Sequence, residues 1–227
     1  MSFLSGLSRS WVTLPLPGSR QPERHATYVS YPVDALPPAP ADLASLSWLE
    51  AAPAHPEDYL ASWFADAAQR DLSLAGISEL WSDIDSLPDD FVRFVGDHSP
   101  GLRDRLRSAT DCYFDLGDAL VEVEGGRLMH LVSDSQWVFH WLLYVGDDGA
   151  SAIVGTQFPA GFALGPEELE SLGARSVTYV VVADSFSEFA WRWWMDNEIF
   201  YKAVVDHVPL SDAEVRYVHG YGPPARI

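Results

Sequence analysis

The sequence is poor in cysteine, in basic residues and in long hydrophobic runs. One cysteine, Cys112, occurs in 227 residues, so no internal disulfide can form and no cysteine pair can begin a zinc motif. The most apolar stretch, residues 137–145, contains His140 and is far shorter than the roughly twenty residues that a membrane-spanning helix needs. The N-terminal residues lack the apolar core of a signal peptide. These absences predict a cytoplasmic protein with no membrane association.

Acidic side chains greatly outnumber basic ones. The chain has 33 Asp and Glu against 14 Lys and Arg, which gives a formal net charge of -19 and a pI near 4.4. Such a surface repels phosphate backbones and anionic lipids, so direct binding to nucleic acid is not expected. The surplus is densest in residues 40–98, where twelve acids stand against two arginines. This charge favours a basic protein as partner.

The chain has enough apolar residues for a packed core, with 48% hydrophobic and 13% aromatic residues. Residues 32–40 are rich in proline, which cannot continue a helix. We therefore predict an N-terminal arm and proline-rich strap over residues 1–54, followed by a single α+β domain over residues 55–227.

Hydrophobic periodicity divides that domain into a helical part and a strand part. Helical spacing runs over residues 55–71, 77–84, 89–95 and 99–107, and strands are predicted over 112–116, 119–123, 127–132, 136–145, 151–156 and, after a short helix at 166–172, 176–182. Ser185 and Glu188 have the spacing of a capping box that opens a helix to about Val205, and Ser211 and Glu214 open a terminal helix. The predicted fold is α+β, with N-terminal helices followed by an antiparallel-rich sheet of about five to six strands packed by a long C-terminal helix.

The long C-terminal helix carries seven aromatic residues between Phe186 and Tyr201. They fall on two stripes at helical spacing, so they cannot all face one way. Burial of both stripes in the core is the simpler interpretation, and an aromatic patch for a partner is the alternative.

A local set of nucleophile and base candidates lies between two predicted strands. It comprises His130, Ser133, Asp134 and Ser135, with His140 on the next strand. A serine beside a histidine that an aspartate orients could form a small hydrolase or ligand-binding enzyme. The simpler interpretation is a turn, because Ser and Asp bond their own backbone in turns.

Metal and cofactor motifs are not found in the sequence. The seven histidines are scattered singly, and none has the spacing of a zinc-binding helix. Asp83, Asp85, Asp89 and Asp90 lack the glycine and closing glutamate of a calcium loop. No glycine-rich nucleotide motif is present either, so no cofactor and no metal are predicted.

Two segments resemble the SUKH superfamily. Residues 87–94 (LPDDFVRF), followed by several strands, are similar to its "LP-x-D-[YF]-x-x-F" helix, and residues 184–189 (DSFSEF) are similar to its closing helix. The resemblance covers about residues 76–206. It implies a mixed α+β sheet and a non-enzymatic binding module, many relatives of which are immunity proteins that neutralise a bacterial toxin, often a nuclease.

The acidic turn is the predicted partner-binding face. A nuclease has a basic cleft for phosphates, which the carboxylates of Asp83, Asp85, Asp89 and Asp90 could occupy, with Trp81 as the anchor that binding hot spots usually contain. Trp81 also has helical spacing with residues 77 and 84, which favours burial in the core. A third interpretation is a structural subunit of a larger assembly that docks through the proline strap and the aromatic helix.

Overall fold

The computed structural model describes residues 3–19, 27–55, 72–96, 101–162 and 177–222. The helix predicted over residues 55–71 lies outside these ranges except for His55. The helix predicted over residues 166–172 and the predicted start of a helix at Ser99 and Pro100 lie wholly outside them. In the part of that last helix that is described, the chain forms only a 3-10 turn, Arg103–Arg105. No helix of the described ranges is both long enough and apolar enough to cross a membrane.

Eight strands form one sheet within the described residues. They are β1 Ser8–Thr13, β2 Val29–Pro32, β3 Tyr113–Phe114, β4 Val121–Val123, β5 Gly126–Ser133, β6 His140–Gly146, β7 Ser151–Thr156 and β8 Tyr179–Ala183. The order is β2-β1-β8-β7-β6-β5-β3, and β4 also pairs with β5. All pairs are antiparallel except β1 with β8, which is parallel.

Five α-helices accompany the sheet in the described ranges. They are α1 Ser47–Glu50, α2 Leu74–Leu80, α3 Asp89–Val95, α4 Phe186–Phe200 and α5 Asp212–Gly220, and α4 continues as a π-helical turn, Tyr201–Val205. The Ser185 side chain accepts a hydrogen bond from the Glu188 amide, and Ser211 and Glu214 form a complete capping box. Both helix starts predicted from capping spacing are confirmed, because the side-chain oxygens satisfy amides that have no partner within the helix.

The α+β class and the long C-terminal helix are confirmed, but the predicted count of five to six strands is wrong. The six strands predicted after residue 110 all form, and β1 and β2 add two more from the segment predicted as an arm. The exposure of β1 does not alternate, running from exposed at Ser8 to buried at Thr13, so its sequence lacks the period of two. Within the described residues the sheet therefore begins before the first α-helix. Strand β1 pairs with β8, so hydrogen bonds join the two sides of the domain boundary predicted at residue 54. The boundary itself stays a prediction.

Strand β6 is the central strand that its apolar sequence predicts, and every one of its residues is buried. It begins at His140 rather than at Gln136. Asp134 accepts from the Gln136 amide through its side chain and from the Trp137 amide through its carbonyl, which closes a turn ahead of the strand. The turn predicted around Ser133–Ser135 is thereby confirmed.

The sheet buries both of its faces. On one face Trp141 and Leu143 of β6 pack with Phe186, Phe189 and the rest of the main core under α4. On the other face Leu142 and Tyr144 pack in a smaller cluster with Leu128, Ala160 and Val181. Most of the helix aromatics belong to the first core: Phe186, Phe189, Trp191 and Trp193 are buried, and Trp194, Phe200 and Tyr201 are half-buried. Their burial favours the core interpretation of this helix.

Candidate functional site

Three of the predicted binding carboxylates are exposed on one short stretch. Asp83 and Asp85 lie at a 3-10 turn, Ile84–Ser86, and Asp89 begins α3. All three side chains are exposed, and within the described residues none makes an ion pair or a side-chain hydrogen bond. We call Asp83, Asp85 and Asp89 the acidic surface.

Trp81 does not belong to that surface. Its side chain is 1% exposed, and its indole Nε1 donates a 2.8 Å hydrogen bond to Ser86 Oγ. The Arg127 guanidinium lies 4.5 Å from the centre of the indole ring. Because Trp81 is packed in the core, it cannot serve as an anchor for a partner as the structure stands. Through its hydrogen bond to Ser86, Trp81 instead supports the turn beside Asp83 and Asp85.

Asp90 is likewise removed from the predicted face. It is 8% exposed, and its two carboxylate oxygens accept from the Phe91 amide at 2.8 Å and from the Ser187 amide at 2.7 Å. Ser187 lies in the first turn of α4, where backbone amides have no partner within the helix. Asp90 therefore ties α3 to the N-terminus of α4, a structural role that the periodicity of residues 89–95 does not reveal.

The alternative site predicted at the β5–β6 hairpin is brought together in part. Ser133 Oγ lies 3.2 Å from His140 Nδ1 and 3.4 Å from His130 Nε2, and these two ring nitrogens lie 3.2 Å apart. All three side chains are 0% exposed. We call His130, Ser133 and His140 the histidine cluster.

A β-bulge creates the histidine cluster. In a regular strand His130 and Ser133 would point to opposite faces, because side chains alternate. The register with β6 shifts between His130, paired with Leu142, and Val132, paired with Trp141, so Leu131 is an extra residue. The bulge turns Ser133 to the same face as His130. There Ser133 also contacts its cross-strand partner, His140. Bulges commonly re-aim a side chain in this way next to functional sites.

Burial keeps both imidazoles neutral at neutral pH. Desolvation is the main cause that lowers the pKa of His130 to about 3 and the pKa of His140 to about 4. For His130 a hydrogen bond from Nδ1 to the Asp115 carbonyl opposes the shift, and for His140 the Trp137 backbone and the charge of Asp134 do so. Neutral imidazoles present lone pairs that can accept a proton or bind a metal.

Asp134 does not orient either histidine. Its Oδ2 accepts from the Tyr28 hydroxyl at 2.5 Å and its Oδ1 accepts from the Gln136 amide. Tyr28 also contacts the Cys112 thiol at 3.2 Å, and burial raises the pKa of that thiol to about 11. The predicted serine, histidine and aspartate are adjacent in sequence, but their side chains do not form a catalytic triad.

Aromatic rings cover the histidine cluster. The Phe162 ring centre lies 4.6 Å from that of His130, and the Trp137 ring centre lies 4.9 Å from Phe162 and 5.8 Å from His140. Trp137 is 41% exposed and has a φ of 58°, in the left-handed region that bulky residues rarely adopt. A small cavity within the described residues lies on the other side of the sheet, between Trp11 and Trp193, and neither histidine lines it.

A second buried polar site was missed by the sequence analysis. Asp196 of α4 is 0% exposed, and its Oδ2 accepts from Trp11 Nε1 at 2.8 Å and Thr13 Oγ1 at 2.6 Å. Its Oδ1 accepts from the hydroxyls of Tyr217 at 3.0 Å and Tyr221 at 2.8 Å. We call this arrangement the Asp196 network. Its only signal in the sequence is an acid within an aromatic helix.

Comparisons with known proteins do not identify a relative. No protein-family model matches the chain, and neither the curated proteins nor the solved structures yield a significant match. Among the described residues, no group of three or more His, Cys, Asp or Glu side chains is placed to hold a metal ion.

Proposed function

We propose that this protein is a non-enzymatic binding module that docks a basic protein through its acidic surface. The observation that carries the proposal is the set of three exposed carboxylates, Asp83, Asp85 and Asp89, that have no cation partner within the described residues. The chain as a whole carries a charge of -19, which adds a long-range attraction for a cationic partner.

Some acids of the described residues are already paired with a base. Asp184 bonds Arg9, Glu50 bonds Arg93 at 3.2 Å, and the half-buried Glu214 bonds Lys202. The acidic surface brings three unpaired carboxylates together within seven residues, beside a turn that the hydrogen bond from the buried Trp81 to Ser86 supports. An unpaired set of charges on a supported turn is suited to complementary binding, since the turn loses little conformational freedom when a partner docks.

The partner that we propose is a toxin with a basic cleft, such as a nuclease, neutralised in the cytoplasm. The similarity of residues 87–94 and 184–189 to the SUKH superfamily supports an immunity-like role, although no family model matches the chain. Both segments form helices, α3 and the start of α4, and Asp90 links them directly through the Ser187 amide.

The test begins with capture of the partner from the native host on the tagged protein, at low and then moderate salt, and identification of the captured protein. Its association rate with the wild type is then compared with that of the double variant Asp83→Lys, Asp85→Lys. We expect the variant to associate about tenfold more slowly at low salt and with a flatter salt dependence, because steering is electrostatic.

The control is the double variant Asp34→Lys, Asp206→Lys, which has the same net charge. Both residues are exposed and lie outside the acidic surface. If the control slows association as much as Asp83→Lys, Asp85→Lys does, net charge alone drives binding and the proposed face is wrong. If neither variant changes the rate, the acidic surface plays no part.

A hydrolase remains the second candidate, favoured by the contact of Ser133 Oγ with His140 Nδ1. Two observations count against a hydrolase: the side chains of the histidine cluster are all buried, and Asp134 accepts a hydrogen bond from Tyr28 rather than from a histidine. We expect a serine-reactive fluorophosphonate to leave the protein unlabelled. Labelling that is lost in Ser133→Ala would establish a nucleophile here and revive the enzyme hypothesis.

A further inference from the structure

Three heteroatoms of the histidine cluster form a nearly equilateral triangle. Its sides are 3.2 Å between His130 Nε2 and His140 Nδ1, 3.2 Å between His140 Nδ1 and Ser133 Oγ, and 3.4 Å between Ser133 Oγ and His130 Nε2. Ligand atoms that lie about 2.0–2.1 Å from a tetrahedral metal ion are separated from each other by roughly 3.3–3.4 Å. The triangle therefore has the dimensions of one face of a tetrahedral coordination sphere.

The protons in the cluster are too few for its lone pairs. The Asp115 carbonyl oxygen, 2.5 Å from His130 Nδ1, can only accept, so Nδ1 carries the ring proton and Nε2 presents a lone pair. If His140 carries its single proton on Nδ1, its buried Nε2 is an acceptor with no donor in the described part of the chain. If the proton is on Nε2, two ring lone pairs face each other across 3.2 Å, and within the described residues the Ser133 hydroxyl is the one group placed to donate to them.

We propose that the histidine cluster binds a transition-metal ion that prefers imidazole, such as Zn²⁺, through His130 Nε2, His140 Nδ1 and Ser133 Oγ. A cation between the facing lone pairs replaces their repulsion by coordination. Imidazole nitrogens suit zinc, copper and nickel, and a site with three protein ligands leaves a fourth position for water or a small anion.

The groups behind the ligands fit this role. Metal-binding histidines usually donate their second ring N–H to a carbonyl or carboxylate, which fixes the ring, and His130 does so to Asp115. The Trp137 backbone favours a proton on the His140 ring, although Nε2 has no hydrogen bond of normal geometry within the described residues.

Charge near the cluster also favours a cation. The charge of Asp134 stabilises positive charge on His140, and the serine and the two imidazoles contribute no charge of their own. The metal site does not use the acidic surface, so its test is independent of the proposed docking of a basic protein.

Co²⁺ is the probe that distinguishes this site from adventitious surface binding. The whole protein is unfolded in chelator, refolded with one equivalent of Co²⁺ so that burial does not block entry, and desalted. We expect one bound Co²⁺ with the intense visible absorption of a tetrahedral site, and its displacement by Zn²⁺ with a rise in the unfolding midpoint, because only the folded state holds the ligands together.

Variants of the ligands test the assignment. His140→Gln is expected to lose the visible band, and Ser133→Ala, the smaller change, to weaken Co²⁺ binding by about tenfold or more. The control His207→Gln, His219→Gln removes two exposed imidazoles and should retain the band. A correctly refolded wild type without the band overturns the proposal, as does a band that persists at full strength in Ser133→Ala and His140→Gln.

Discussion

The Asp196 network and the histidine cluster are both buried and polar, but they differ in the balance of hydrogen-bond donors and acceptors. In the Asp196 network four donors converge on the two oxygens of one carboxylate, two on each. In the histidine cluster three possible acceptors face one another, and one ring nitrogen has no partner at normal geometry within the described residues. Buried polar groups are costly when they are left unmatched, so the first arrangement is suited to stability and the second to binding a ligand.

The two sites also differ in what they connect. Asp196 joins α4 to β1 and α5, elements far apart in the chain, whereas the histidine cluster lies within one hairpin of β5 and β6. Loss of Asp196 should therefore loosen the packing of three elements. Loss of a cluster side chain should leave the fold in place, because the β5–β6 ladder continues from the cluster to the pair of Gly126 with Gly146.

The largest effect is expected from Asp196→Asn. An asparagine offers one oxygen and an NH₂ group in place of the second oxygen, so two of the four donors lose their acceptor and meet another donor. We expect a loss of about 2–5 kcal/mol in the free energy of unfolding, measured by urea titration. Asp206→Asn, at an exposed position, is the control and should change stability by less than about 0.5 kcal/mol. A similar small change for Asp196→Asn would show that the network is not stabilising.

Tyr221→Phe should have an intermediate effect. It removes one donor to Asp196 Oδ1 and the 2.9 Å hydrogen bond between the hydroxyls of Tyr217 and Tyr221, while the ring contact with Tyr31 remains. The carboxylate keeps three donors, so we expect a loss of about 1–2 kcal/mol in the same urea titration. A loss as large as that of Asp196→Asn would mean that the tyrosine, not the carboxylate, is the centre of the network.

The pH dependence of the Asp196→Asn penalty should be a smaller correction to the first effect. Burial raises the pKa of Asp196 above its usual value, and the four hydrogen bonds only partly oppose this shift. A folded-state pKa above the unfolded one contributes stability that is present below the unfolded pKa and is lost as pH rises through the folded pKa. Because asparagine does not titrate, the penalty should be larger at about pH 5 than at about pH 7. A penalty that shrinks in acid would show that the hydrogen bonds outweigh burial and depress the pKa.

The fold was predictable where the local signals were strong. Capping residues and helical periodicity located α3, α4 and α5, and the apolar run located β6, because each of these signals acts over a few residues. Strand β1 was missed since its parallel pairing with β8 depends on residues about 170 positions away, and its own sequence does not alternate.

For the candidate sites, the sequence predicted which residues lie near one another but not how their side chains are arranged. The sequence placed His130, Ser133 and His140 near one another, but the bulge at Leu131 that turns Ser133 toward the histidines cannot be read from a period of two. It also assigned Asp134 to the histidines, whereas Tyr28, 106 residues away, takes its carboxylate. Asp90 was predicted to lie on the surface because its tertiary partner, Ser187, lies on a distant element. Trp81 is buried, as its helical spacing with residues 77 and 84 favoured.

The smallest effect is expected from Ser133→Ala in the protein without added metal. The hydroxyl contacts two ring nitrogens but is not their sole source of protons, because His140 can donate from Nδ1 to His130 Nε2. The free energy of unfolding should fall by less than about 1 kcal/mol. With Zn²⁺ present the difference between wild type and Ser133→Ala should widen, since the hydroxyl is then a ligand. A large loss without metal would make the histidine cluster a stabilising network like that of Asp196, and the contrast between the two sites would disappear.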